Sequence, residues 1–168
     1  MADQPKTAML ALILLLVLGA IPAVAKDPPR AAVFDFALIN TSGAADTPAE
    51  LARLAQLNGQ LRNELRANDR YVILDVAPVR DRLAEVQSIR GCNGCELDLT
   101  KELGGQVAAY GWVQKVSNLI LNINVVIEDA NTGKILKAGS VDIRGNTDET
   151  WMRGLRYLLE EHLFRDDH

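Results

Sequence analysis

Histidine and cysteine are scarce in this chain, with two of each among 168 residues. His162 stands near an acidic C-terminal end and His168 is the last residue, so Ser88, Ser117 and Ser140 have no evident histidine partner. No Gly-x-Ser-x-Gly elbow, His-Glu-x-x-His pair, phosphate-binding loop or dinucleotide fingerprint occurs. These absences argue against catalysis, and the expectation is a non-enzyme with no catalytic residues, no resident metal and no cofactor. An excess of positive charge is also missing. Eighteen basic and 22 acidic side chains leave a net charge of −4, with the signs interspersed. That balance disfavours nucleic acid or an anionic membrane surface as partner.

Long apolar runs are lacking too, apart from residues 8–21. This run is shorter than the about 20 residues a membrane span requires. Lys6 precedes it, and Pro22 and Ala23-Val24-Ala25 follow it, which is the layout of a secretory signal peptide cleaved before Lys26. No cysteine adjoins the cleavage point, so no lipid anchor is expected. Residues 1–25 are therefore read as a signal peptide and 26–168 as one exported, periplasmic α/β domain. Such a domain is large enough to bury about two-thirds of its unfolded surface.

Within that domain, residues 31–36 are short, apolar and β-prone, and lead into a polar loop at 40–46. Thr47-Pro48-Ala49-Glu50 is a capping box with proline at the first helical position. The helix that follows is expected to turn Leu51, Leu54, Leu61 and Leu65 inward and to end near Asn68, with Gly59 suggesting a close contact. Residues 71–75 read as a second strand, 78–86 and 97–103 as short helices. Strict alternation then marks three strands, at 107–114, 119–128 and 135–143, with a turn at 129–133. A helix over 147–164 packs Trp151, Leu155, Leu158, Leu159 and Leu163 inward. The order β-α-β-α-α-β-β-β-α predicts a mixed sheet packed with helices.

That order resembles the fold of the TolB N-terminal domain, CsgG and LpoB. The likeness is carried by Val33-Phe34-Asp35-Phe36, by the strand containing Gly111, and by the hairpin around Asp129-Ala130-Asn131-Thr132-Gly133. The strings Gly91-Cys92-Asn93-Gly94-Cys95-Glu96, Gly111-Trp112-Val113-Gln114-Lys115-Val116-Ser117-Asn118 and Arg144-Gly145-Asn146-Thr147-Asp148-Glu149-Thr150-Trp151 resemble an exported bacterial family of unknown function. Its members are often encoded beside quinoprotein alcohol dehydrogenases. The resemblance implies an accessory role near such a system and transfers no catalytic residues.

Three constellations bear on function. Cys92 and Cys95 form a Cys-x-x-Cys pair ahead of a helix, read as an internal disulfide that stabilises by about 2 kcal/mol on chain-entropy grounds. The rival reading is thiol–disulfide exchange, against which Glu96 adds negative charge beside the thiols. A zinc site would need two more ligands, for which only the distant His162 and His168 offer themselves. Second, residues 144–151 connect a strand to a helix, with Asn146 or Thr147 as cap; Asp142, Asp148 and Glu149 could instead gather round a cation or small ligand. Third, Asn122 and Asn124 are unfavourable within a strand and call for a compensating contact.

The expectation is a non-catalytic accessory or binding protein that meets an unidentified protein partner in the periplasm or envelope. Its contact surface is expected to comprise Trp112, Lys115, Asn118, Asn122, Asn124, Arg144, Asn146, Asp148 and Trp151. The alternatives are a redox protein using Cys92 and Cys95, and a small-ligand or metal-binding protein.

Overall fold

The computed structural model describes residues 27–165. The expected signal peptide, residues 1–25, and His168 lie outside the described residues. Ten regular elements follow one another: β1 (Arg30–Val33), β2 (Ala37–Asn40), α1 (Pro48–Arg66), β3 (Val72–Ile73), α2 (Arg80–Glu85), α3 (Cys95–Glu102), β4 (Val107–Lys115), β5 (Ile120–Asp129), β6 (Ile135–Arg144) and α4 (Asp148–Tyr157). A π-helical turn, Leu158–Leu163, continues α4. The expected order holds, except that the first strand is split in two.

The strands form one mixed sheet in the order β3-β1-β4-β5-β6, with β2 beside β4. β1 runs parallel to β3 and β4, whereas β4, β5 and β6 form an antiparallel meander. The split in the first strand has a local cause. Val33 pairs with Ala109 and Ala37 with Trp112, so residues 34–36 hold one residue more than the facing stretch of β4. Such a bulge frees backbone groups from the ladder. Two polar side chains of α1 take them up. Phe36 N donates to Asn58 Oδ1 at 2.7 Å. Arg62 donates to the Val33 carbonyl at 3.1 Å and also pairs with Asp35 at 2.6 Å. The Phe36 ring then lies over Gly111, where a Cβ would stand 2.3 Å from the ring, so only glycine fits there.

One face of the sheet is covered by α1 and α4. Leu57, Leu61 and Leu65 meet Val113, Leu121, Ile123, Val125 and Ile127 of the sheet and Trp151, Leu155 and Leu159 of α4 and its continuation. Fully burying one such side chain stabilises by about 1.5–3 kcal/mol. The stripe on α1 differs from expectation. Leu51 is exposed, and the buried line runs through Glu50, Leu57, Leu61 and Leu65. Helical spacing explains the difference: an inward Glu50 turns its neighbour Leu51 about 100° away. Gly59 has nothing within 4 Å of a would-be Cβ, so it marks no close contact; that contact occurs at Gly154 of α4, where a Cβ would come 2.4 Å from Ile143.

The other face is covered in part. Ala32, Phe34 and Ala108 pack under Val79 and Leu99, so the α2–α3 layer rests on β1 and β4. Along β5 and β6, Asn122, Asn124 and Val126 are half-buried, while Ala138, Ser140, Asp142 and Arg144 are exposed. No helix among the described residues is long and apolar enough to cross a membrane.

Candidate functional site

The open half of the sheet is built by the alternation along β4, β5 and β6. Even-numbered residues point to this face, and the register sets Trp112 opposite Asn124, Gln114 opposite Asn122, and those two asparagines opposite Ser140 and Asp142. Asn124 Nδ2 donates to Asn122 Oδ1 at 2.5 Å, and Asn122 Nδ2 donates to Asp142 Oδ1 at 2.9 Å. This ladder supplies the compensating contact that two asparagines in a strand require. Trp112 is half-buried. It stacks on Tyr110 with ring centroids 6.5 Å apart, and the Arg90 guanidinium sits 4.8 Å over its ring. The resulting surface is mainly polar, with one aromatic pair at its inner border.

On the opposite side, a closed polar network ties the heads of α1 and α4 to the end of β4. Thr47 and Glu50 form the predicted capping box, in which Thr47 N donates to Glu50 Oε2 at 2.8 Å. Glu50 Oε1 lies 2.6 Å from Lys115 Nζ, and both side chains are buried. Asn146 is the hub. Its Nδ2 donates to Glu50 Oε1 at 2.6 Å and to Asn118 Oδ1 at 3.2 Å. Its Oδ1 accepts from Arg53 Nη1 and from Trp151 Nε1, each at 3.0 Å. Arg53 also binds Asp148 at 2.6 Å. Burial by itself would raise the Glu50 pKa; the Lys115 ammonium, the Thr47 amide and Asn146 outweigh it and bring it down to about 2.

A third cluster lies where α3 meets the sheet. Cys92 and Cys95 are joined in a disulfide. Glu96 follows at the first turn of α3, buried, with Oε2 in contact with Cys92 Sγ at 3.1 Å. Glu128 of β5 is buried beside it. Burial, then the Glu96 charge and a hydrogen bond between the two carboxyls, hold the Glu128 pKa above the ordinary carboxylate range. Tyr110 is pushed up to about 12 by burial and by the charges of Glu128 and Glu96.

Residues 29–163 match a family described as "Protein of unknown function (DUF2380)". The chain belongs to that family. No curated protein matches this chain. Among solved structures it is similar to the LpoB C-terminal domain from Salmonella enterica, with a TM-score of 0.53 and 14% identity over 73% of this chain and 87% of that one. PelC from Paraburkholderia phytofirmans, solved as a dodecamer, gives a TM-score of 0.53 and 12% identity over 80% and 87%. TolB from Acinetobacter baumannii gives 0.40 and 9% over 81% and 29%. The LpoB likeness agrees with the fold expected from the sequence.

The residues expected to share one surface are thus divided. Trp112, Asn122, Asn124 and Arg144 belong to the open face of the sheet. Asn118, Asn146 and Asp148 belong to the network, of which Asn118 and Asp148 are exposed. Lys115 and Trp151 have to be withdrawn from any contact surface. Lys115 is 2% exposed and Trp151 is wholly buried, because Glu50 and Asn146 satisfy their polar atoms inside. Nor do Asp142, Asp148 and Glu149 gather round a cation: Asp142 bonds Asn122, Asp148 pairs with Arg53, and Glu149 pairs with Arg153 at 3.0 Å. The group with metal-ligand spacing among the described residues is Cys92, Cys95 and Glu96 instead. The sequence reading missed Arg53 and Glu128, and found in Glu50 the capping-box member but not the partner of Lys115. Lys115 did carry a signal, since it continues the buried odd-numbered row of Val107, Ala109, Gly111 and Val113.

Proposed function

We propose that this protein is a non-catalytic accessory factor of the cell envelope that acts by protein contact through the open face of β5 and β6. The single observation that carries this reading is the half-covered sheet. The α2–α3 layer rests on β1 and β4 and reaches β5 only at Glu128, which leaves Trp112 at the far end of β4 and Asn122, Asn124, Ser140, Asp142 and Arg144 of β5 and β6 on the uncovered part of the face. Interface cores favour aromatic residues and arginine with polar groups held in place, and this face has those components. Its asparagine ladder is already hydrogen-bonded, so little side-chain entropy is lost on docking. Export by the signal peptide at residues 1–25 and a periplasmic location complete the proposal. A role beside a quinoprotein dehydrogenase system is its narrower form, carried by the family resemblance alone.

Site-specific photo-crosslinking in the periplasm tests it. A probe at Ser140 is expected to trap one discrete partner, and Asn124→Arg is expected to abolish that product without altering the melting temperature by more than about 2 °C. A probe at Gln56, exposed on α1, serves as the control. Equal crosslinking from Ser140 and Gln56, or insensitivity to Asn124→Arg, would remove the open face from the reading.

The Cys92–Cys95 bond supports a second reading, thiol–disulfide exchange, since the pair sits at the start of α3 and is half-buried rather than sealed. A reduction potential below about −300 mV marks a structural bridge and eliminates this alternative.

A further inference from the structure

The disulfide corner contains two carboxylates whose placement the contact function does not use. Glu96 and Glu128 are 8% and 7% exposed. Their carboxyl groups meet each other, and Glu128 Oε1 is buried with no hydrogen-bond partner among the described residues. Two facing carboxyls out of water are costly unless a proton or a cation lies between them. The Arg90 guanidinium lies over the Trp112 ring. Glu128 is placed here by the plain alternation of β5, directly opposite Ala108 of β4; the extra residue of the neighbouring register change, Leu136, belongs to β6.

The sulfurs of Cys92 and Cys95 and a carboxylate oxygen of Glu96 all lie within 4.8 Å of one another. Thiolates and carboxylates in a set of four suit a zinc-class divalent ion in tetrahedral coordination. The shortage of further ligands that the sequence suggested applies to histidine only. Glu96 is adjacent in sequence to Cys95, and Glu128 of β5, outside that group of three, meets it through the Glu96 carboxyl.

We infer that, once the Cys92–Cys95 bond is reduced, Cys92, Cys95, Glu96 and Glu128 form a binding site for a zinc-class divalent cation. A dithiol reductant opens the site. It transfers two electrons and two protons to the S–S bond, which breaks to give two thiols, and the reductant leaves as its own disulfide. The entering ion displaces the two thiol protons to solvent and is held by two thiolates and two carboxylates. The oxidised chain has no thiolate to offer, so the disulfide and the metal are mutually exclusive occupants of one corner. The site lies on the same side of the sheet as the open face, under α3 and at the far end of β5 from the asparagine ladder.

The test uses the mature protein, reduced with a phosphine, freed of reductant and titrated anaerobically with Co²⁺ and then with Zn²⁺ against a chromophoric chelator. One equivalent of Co²⁺ is expected to bind with thiolate-to-cobalt charge-transfer absorption, and Zn²⁺ to displace it. The oxidised protein is expected to give neither signal. Glu128→Gln is expected to weaken Zn²⁺ binding at least tenfold, and Cys95→Ser to remove the charge-transfer band, while circular dichroism confirms that both variants are folded. Absence of the thiolate band in the wild-type protein overturns the inference. So does an unchanged affinity in folded Glu128→Gln.

Discussion

Lys115→Met is the substitution that most directly tests the buried network. It leaves the Glu50 carboxylate with the Thr47 amide and Asn146 but without its ammonium, in a position with no access to water. Removing one partner of a buried ion pair costs about 3–5 kcal/mol, because the other charge stays uncompensated. With a urea dependence of about 2 kcal/mol per molar, the unfolding midpoint falls by about 2 M while the slope is unchanged. Glu50→Gln combined with Lys115→Met removes both charges together, and the double variant is expected to recover at least half of the loss. Acid titration gives a second reading of the same pair. The Glu50 pKa falls from an ordinary 4.5 to about 2 on folding. A group depressed in this way stabilises the fold fully above about pH 4.5, and its contribution, about 3 kcal/mol, is lost as the pH falls through about 2. Wild-type stability should therefore decline between those values more steeply than that of Glu50→Gln. Urea melts followed by tryptophan fluorescence and circular dichroism at several pH values provide the data. A midpoint shift below about 0.5 M for Lys115→Met, with parallel pH profiles for wild type and Glu50→Gln, would refute the account.

Two further outcomes follow from the bulge. Gly111→Ala sets a methyl group 2.3 Å from Phe36 and 2.7 Å from the Asn124 carbonyl oxygen. It is expected to cost about 3 kcal/mol by urea denaturation; Phe36→Leu in the same background should restore only part, since the carbonyl cannot retreat, and full restoration would contradict the packing described. Asn58→Ala leaves the Phe36 amide unpaired, at a cost of about 1–3 kcal/mol. Amide exchange at Phe36 should accelerate by far more than at Val125, and equal acceleration of both would point to a general loss of stability instead.

The element order was legible because each element carries its own period or cap. Strict alternation from Val107 to Ile143 identified the meander, and Thr47-Pro48-Ala49-Glu50 located the start of α1. What escaped the sequence depends on partners distant along the chain. Leu51 has the composition of a core residue, yet an inward Glu50 places it outside. Glu50 is inward because Lys115, 65 positions later, closes on it. Residues 31–36 read as one strand ahead of a loop at 40–46, because the bulge is legible only when Asn58 and Arg62 are seen to satisfy it. The nine residues grouped as one surface share a polar or aromatic character, but the parity of β4 sends Trp112 and Lys115 to opposite faces. Glu128 closes the polar row of β5, and only the packing of α3 on the sheet sets Glu96 beside it.

The division of the sheet into a meander and a parallel half also implies an order of assembly. β4, β5, β6 and α4 touch their neighbours in sequence, and contacts of that kind form early, whereas β1 and α1 must close loops of many tens of residues to reach β4. Lys115 therefore waits in water at the end of a preformed hairpin until α1 arrives with Glu50. Only one placement of the N-terminal segment satisfies that charge, since a one-residue slip of β2 along β4 would turn its side chains to the wrong face. The pair thus acts as a register mark read late in folding. Pulse-labelled hydrogen exchange would show this as protection at Val125 preceding protection at Ala32, and the opposite order would disprove it.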